Sequence, residues 1–228
     1  MSNIVKKRKL LRDKITKYLS NDKSNFEDFK SYLIDNDFIL SEINNEKFDI
    51  LTFTIENIKY ENESTYSLIK FIYDEFEYKN INYTIVIKDI PKTPLFSAIV
   101  RDKLNIADYL ISLKAKIYYI NSKNLNIFEY INEYYLEKKV NGRIINFIFN
   151  KLNKIENDKN KKAFIIEMCL NVKYSIFKLI PNFVKKKKFN ILKNIFQCYS
   201  INNFNEYTSH KCLIDLLMAY KKKNTSIG

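Results

Sequence analysis

Apolar residues along this chain recur at three- and four-residue spacing in short bursts, separated by polar connections rich in lysine and asparagine. The bursts fall at residues 6–19, 26–34, 49–55, 68–72, 95–99, 104–111, 127–131, 144–148, 164–168, 176–180, 190–196 and 213–218. That period predicts amphipathic helices, most of them only two or three turns long. A helix so short is marginal alone and must bury its apolar face against a neighbour. The bursts also come in pairs, a short helix followed closely by a second. An all-α architecture of paired helices is the expectation.

The best-defined pair begins at Thr93 and reads TPLFSAIVRDKLNIADYLISLKAKIYY. Thr93 can cap a helix through its hydroxyl. Pro94 suits a first helical position, where no backbone hydrogen bond is lost. Leu95, Ala98 and Ile99 share one face, and Ile106, Leu110 and Ile111 form the buried stripe of the second helix. The stretch resembles an ankyrin repeat, whose pattern runs TPLHxAxxxGxxxIVxxLLxxGAxxN, and aligns with it without a gap. Thr93, Pro94 and Leu95 stand at the opening TPL, Ala98 at the small position of the first helix, and Leu110, Ile111 and Ala115 at the LL pair and the GA alanine.

Weaker echoes flank this unit. Asn126-Ile127-Phe128 takes the TPL place about 33 residues on, the ankyrin period. Its second helix, at residues 144–148, is delayed by an insertion around 138–142. Further copies are read from Ala163, with helices at 164–168 and 176–180, and from Asn190, pairing with 213–218. An upstream copy opens at Asp49, with its second helix at 68–72 after an insertion. The organisation read from this is a basic N-terminal capping helix in residues 1–25, an ankyrin-like array over 26–220 and a basic disordered tail over 221–228. The resemblance implies an ankyrin-like solenoid of stacked helix-turn-helix repeats.

Three departures bear on that expectation. Phe96 replaces the motif histidine, so packing must substitute for its hydrogen bond. Asp102 or Lys103 stands at the glycine ending the first helix. Lys114 replaces the glycine before Ala115, where a left-handed cap is needed at a steric cost. Irregular loops are therefore expected in place of the regular hairpins.

Composition narrows the chemistry. Across 228 residues there are two glycines, three prolines, three cysteines and one histidine. Two glycines cannot build the glycine-rich phosphate loops of dinucleotide or P-loop sites. Cys169, Cys198 and Cys212 form no CxxC pair, and a sparse odd set suits a reducing compartment. His210 and Cys212 would face different sides of a helix and do not make a metal set. No catalytic constellation emerges, so no enzyme activity, cofactor or metal is expected. The N-terminus is basic but has no apolar core of a secretory signal. No apolar run is long enough to span a bilayer. A cytoplasmic protein is expected, with the basic runs making the nucleus the alternative.

Charge is unevenly distributed. Residues 1–23 carry eight basic and two acidic side chains, residues 24–91 six and fourteen, and residues 151–228 sixteen and five. Lysine outnumbers arginine 35 to 4. Lys, Asn, Ile, Tyr and Phe share A/T-rich codons, so part of the formal charge of +13 reflects base composition rather than function.

The ankyrin resemblance implies a scaffold or adaptor, a monomer that binds another protein on a concave face of first helices and loops. By position in that pattern, the exposed sites are Lys92, Val100 and Arg101, then Glu133 and Tyr134, then Leu170 and Asn171. The alternative is a nucleic-acid or anionic-surface binder using the basic C-terminal half, in particular Lys185, Lys186, Lys187 and Lys188. Scarce arginine weighs against base readout.

Overall fold

A computed structural model of the chain describes residues 3–21, 25–36, 38, 43–45, 47–75, 78–135 and 142–154. The helices expected over 164–180 and 190–218 lie outside these residues. So do Leu170, Asn171, Lys185, Lys186, Lys187, Lys188, His210 and the three cysteines. The described chain is helix-rich, with eight helices and a single two-stranded hairpin among the described residues. None of these helices is long and apolar enough to cross a membrane. The backbone divides into two units, residues 1–116 with 121–124, and residues 117–120 with 125–228.

The first unit contains three helix pairs. They are α1 (Asn3–Leu19) with α2 (Phe26–Asp35), α3 (Ile50–Asn57) with α4 (Glu63–Glu75), and α5 (Pro94–Val100) with α6 (Leu104–Ser112). The leading helices pack in series, α1 on α3 and α3 on α5, and α2 packs on α4. Leu11, Ile15, Leu51, Ile55, Leu68, Ile69, Ile72, Phe96, Ala98, Ile99, Ile106 and Leu110 are all buried between them. Ala98 is wholly buried, and its methyl group is what lets these short helices approach closely. Phe96, standing where the resemblance places histidine, is also wholly buried and fills core volume. Aromatic contacts join α2 to α4 (Phe26–Phe71) and α4 to α6 (Tyr66–Tyr109).

The helix starts follow from local chemistry. Thr93 Oγ1 accepts from the Phe96 N–H at 3.0 Å, with Pro94 in the first turn. Asp49 Oδ2 accepts from the Thr52 N–H at 2.7 Å at the head of α3. In the second unit Asn126 Oδ1 accepts from the N–H groups of Phe128 and Glu129, at 3.0 and 3.1 Å. Glu129 reciprocates by accepting from the Asn126 N–H at 2.7 Å, closing a capping box. Asp49, Thr93 and Asn126, which open the three aligned copies, thus perform one task. The start of α6 has no cap of its own. Glu61, from the α3–α4 connection, accepts from the Ile106 N–H at 3.0 Å, and Lys103 Nζ donates to the Lys59 carbonyl at 2.9 Å. One pair therefore finishes the helix of the next.

Two expectations need correction. An irregular loop was expected before Thr93, yet residues 85–92 form a regular antiparallel hairpin. Strand β1 (Ile85–Ile87) pairs with β2 (Ile90–Lys92), with Ile87 opposite Ile90. Its two-residue turn places Lys88 at φ 52° and Asp89 at φ 63° without any glycine. A type I′ hairpin turn demands positive φ at both central positions, and the surroundings hold it there. Lys123 Nζ donates to the Asp89 carbonyl at 2.6 Å, and Asn121 Nδ2 to the Pro91 carbonyl at 3.2 Å. Asn82 does similar work, donating to the Lys114 carbonyl and accepting from the Lys116 N–H. The second correction concerns the upstream copy, whose extra length was placed before its second helix. Helix α4 already begins at Glu63, six residues after α3 ends, and at 13 residues it is longer than the nine-residue α6, so little of the extra length precedes the second helix.

Left-handed residues do occur where glycine was missed: Asp102 has φ 57° and Lys114 φ 72°. The second unit's described helices are α7 (Ile127–Tyr135) and α8 (Gly142–Lys154). They meet through Phe128 and Phe149, whose ring centroids are 5.3 Å apart.

Candidate functional site

Within the first unit, α1, α3, the 44–49 connection and the β1–β2 hairpin enclose an open groove of about 1350 Å³. Its floor is polar but closed on itself. The Asp49 carboxylate, almost fully buried, caps α3 with one oxygen and receives two phenols. Tyr78 donates to Oδ1, and Tyr83 donates to Oδ2 at 2.7 Å. Asn44 secures the arrangement, donating to the Tyr78 oxygen at 2.9 Å and accepting from the Ile50 N–H at 2.8 Å. The rings of Tyr73, Tyr78 and Tyr83 stack in succession, with centroids 6.0 and 5.5 Å apart. Burial, and then the Asp49 charge, push the Tyr78 and Tyr83 phenols far above their ordinary pKa. Both stay neutral donors across the physiological range.

Beside this cluster Lys92 Nζ lies 2.7 Å from each carboxylate oxygen of Glu56. Ser97 Oγ adds a longer contact to Glu56 at 3.4 Å. The pair joins α3 to the end of β2.

The groove's upper wall is different. Arg12, exposed on α1, lays its guanidinium over two rings, 5.1 Å from the Phe53 centroid and 5.5 Å from that of Phe48. A smaller depression of about 450 Å³, lined by Lys9, Arg12, Asp13, Thr16, Phe53 and Asn57, continues along α1. Lys47 and Lys88 are exposed on the lining, and Val86 presents an apolar side chain with 41% exposure.

The residues expected to form a concave binding face are only partly brought together. Lys92 lines the groove, but it is buried in its ion pair rather than exposed. An i, i+1 position in the repeat pattern does not reveal that Glu56 waits opposite. Val100 is half-buried and Arg101 exposed at the end of α5, and neither lines the groove. Glu133 is exposed and Tyr134 half-buried on α7 of the second unit, where Tyr134 packs against Tyr130. Sequence reasoning missed Arg12, Phe48, Phe53, Tyr78 and Tyr83. The available signal was weak: Tyr78 and Tyr83 sit in the polar stretch before the TPL motif, where the fingers of an ankyrin pattern fall.

Among the described residues, no group of three or more His, Cys, Asp or Glu side chains could hold a metal ion. No protein-family model matches the chain, and no curated protein or solved structure is detectably similar to it.

Proposed function

We propose that this chain is a divergent ankyrin-like repeat protein that acts as a non-catalytic scaffold, holding a partner protein in the groove of its first unit. The observation carrying this reading is the shared register of Asp49, Thr93 and Asn126. Each caps a leading helix at the position where the pattern places threonine. The serial packing of α1, α3 and α5, and the hairpin projecting before Thr93, support the same reading. Repeat units stacked in this way create extended binding surfaces between helices and loops. Two of the groove's acids are engaged in structure, Asp49 in capping and phenol bonds and Glu56 in its ion pair, while Asp89 is exposed at the hairpin turn. That leaves the groove's shape and its rim as the features a partner would meet.

The test is affinity capture from a source lysate with the full chain, after nuclease and at about 0.3 M salt, where phosphate-driven binding collapses. Val86→Trp fills the groove mouth without changing charge. A stoichiometric protein retained by the parent chain and lost with Val86→Trp is the expected result. Capture that vanishes with nuclease, or that Val86→Trp leaves intact, overturns the groove as the partner site. The former outcome would shift attention to the basic residues beyond 151.

A further inference from the structure

The groove's charges are not balanced in their availability. Its lining holds the cations Arg12, Lys47, Lys88 and Lys92 and the anions Asp49, Glu56 and Asp89. Asp49 is consumed by two phenols and a helix cap, and Glu56 by Lys92. Among the described residues Arg12 makes no ion pair, and its guanidinium lies over the rings of Phe48 and Phe53. Lys47 and Lys88 are likewise exposed and make no ion pair among the described residues. What the described residues of the groove offer to a visitor is therefore three cations, Arg12 on α1, Lys47 in the 44–49 connection and Lys88 in the hairpin turn, against one exposed acid, Asp89, beside Lys88.

Arg12 is the most specific of them. Its face is held against two aromatic rings, which restrains the side chain. The residue is exposed, and the N–H edge of a guanidinium matches the two oxygens of a carboxylate. Restraint before binding lowers the entropy lost on binding. A single-stranded nucleic acid would need free aromatic faces for base stacking. Here Phe48 and Phe53 pack on each other beneath Arg12, and Tyr78 lies between Tyr73 and Tyr83.

Building on the partner-groove reading above, we infer that the groove receives an acidic segment of a partner protein. A glutamate or aspartate carboxylate of that segment accepts a two-pronged hydrogen bond from Arg12, with Lys47 and Lys88 flanking it.

The test uses the full chain and a fluorescein-labelled peptide of alternating glutamate and serine, read by fluorescence anisotropy at low salt. Its glutamine–serine counterpart and oligouridylate are the comparison probes. Saturable binding of the glutamate peptide alone is expected. Arg12→Ala should weaken it at least about tenfold, equivalent to ~1.4 kcal/mol. Arg12→Lys should not restore it, because a lysine lacks the planar fork. Lys88→Gln, at an exposed hairpin turn, should weaken it less and tests the same idea if Arg12 variants melt early. The inference is overturned if the glutamine peptide binds equally, if the glutamate peptide fails to bind, or if folded Arg12→Ala and Lys88→Gln bind like the parent. Arg12-dependent binding of oligouridylate in preference to the peptide also overturns it, in favour of nucleic acid. If a lysate partner is lost with Val86→Trp but kept with Arg12→Ala, the acidic chemistry falls and the groove reading survives.

Discussion

Lys92 and Glu56 meet with Nζ 2.7 Å from a carboxylate oxygen, at side-chain exposures of 11% and 12%. The pair ties the end of the hairpin to α3, across the junction of two helix pairs. At this burial the charges are desolvated, so each depends on the other. Removing one partner strands a charge, at a cost of about 3–5 kcal/mol, whereas replacing both with apolar side chains costs far less. Glu56→Ala should therefore lower the urea midpoint sharply, and Glu56→Leu with Lys92→Met should recover most of it. A double-mutant cycle by urea melts checks this. Equal losses in the single and the double variants would show that the pair is solvated.

Asp49 supports three donors at once. Asp49→Ala removes the cap of α3, worth about 1 kcal/mol, and leaves two phenol hydroxyls and a backbone N–H to find water, each at about 1–3 kcal/mol where buried. Asp49→Asn keeps a capping oxygen but cannot accept both phenols well. The expected order of thermal stability is parent, then Asp49→Asn, then Asp49→Ala. Asp49→Ala melting with the parent would remove this cluster from the energetics of the first unit.

The tyrosines make a pH prediction. Tyr78 and Tyr83 have phenols raised by burial and then by Asp49, and Tyr18, Tyr66 and Tyr109 are raised chiefly by burial. An acid whose folded pKa lies above its unfolded value binds its proton more tightly when folded. Its contribution to stability is complete below the unfolded pKa of about 10 and is lost as pH rises beyond it. Stability should be insensitive to these groups at neutral pH and should fall in alkali. Spectroscopic titration should find part of the 17 tyrosines silent near the ordinary midpoint until the chain unfolds. A single ordinary titration of all of them would contradict the buried cluster.

Lys114 holds a left-handed backbone at φ 72° with a full side chain. An L-residue there costs roughly 1–2 kcal/mol, which glycine avoids while paying some unfolded-state entropy. Lys114→Gly should raise stability by up to about 1 kcal/mol. Asp102→Gly should gain less, because aspartate tolerates that region better. Calorimetric melts decide, and a destabilised Lys114→Gly would contradict the assigned strain.

Ala98 and Leu110 are wholly buried. Ala98→Arg overpacks the contact between leading helices, and Leu110→Asp buries an unpaired charge. Either should unfold the first unit or split the melting transition. A cooperative, unshifted melt in both would sink the paired-helix packing itself.

Among the described residues, the starts of the leading helices α3, α5 and α7 were legible in the residues alone. Thr93 and Pro94 specify a helix start through a hydroxyl and a missing N–H, and the spacing of Leu95, Ala98 and Ile99 specifies its buried face. These are local effects, decided within one or two turns, and they hold at Asp49 and Asn126 as well. The left-handed cost at Lys114 was legible for the same reason. The hairpin at 85–92 was not, because its glycine-free turn is held by Asn121 and Lys123, through contacts 30 and 34 residues apart in the chain. Nor was the groove. Arg12 meets Phe48 and Phe53, Glu56 meets Lys92, and Tyr78 and Tyr83 meet Asp49 only after the helix pairs have stacked. Periodicity states which face of a helix is buried; only the packed chain decides which distant side chain lies against it, and so which charges are spent on structure and which stay exposed.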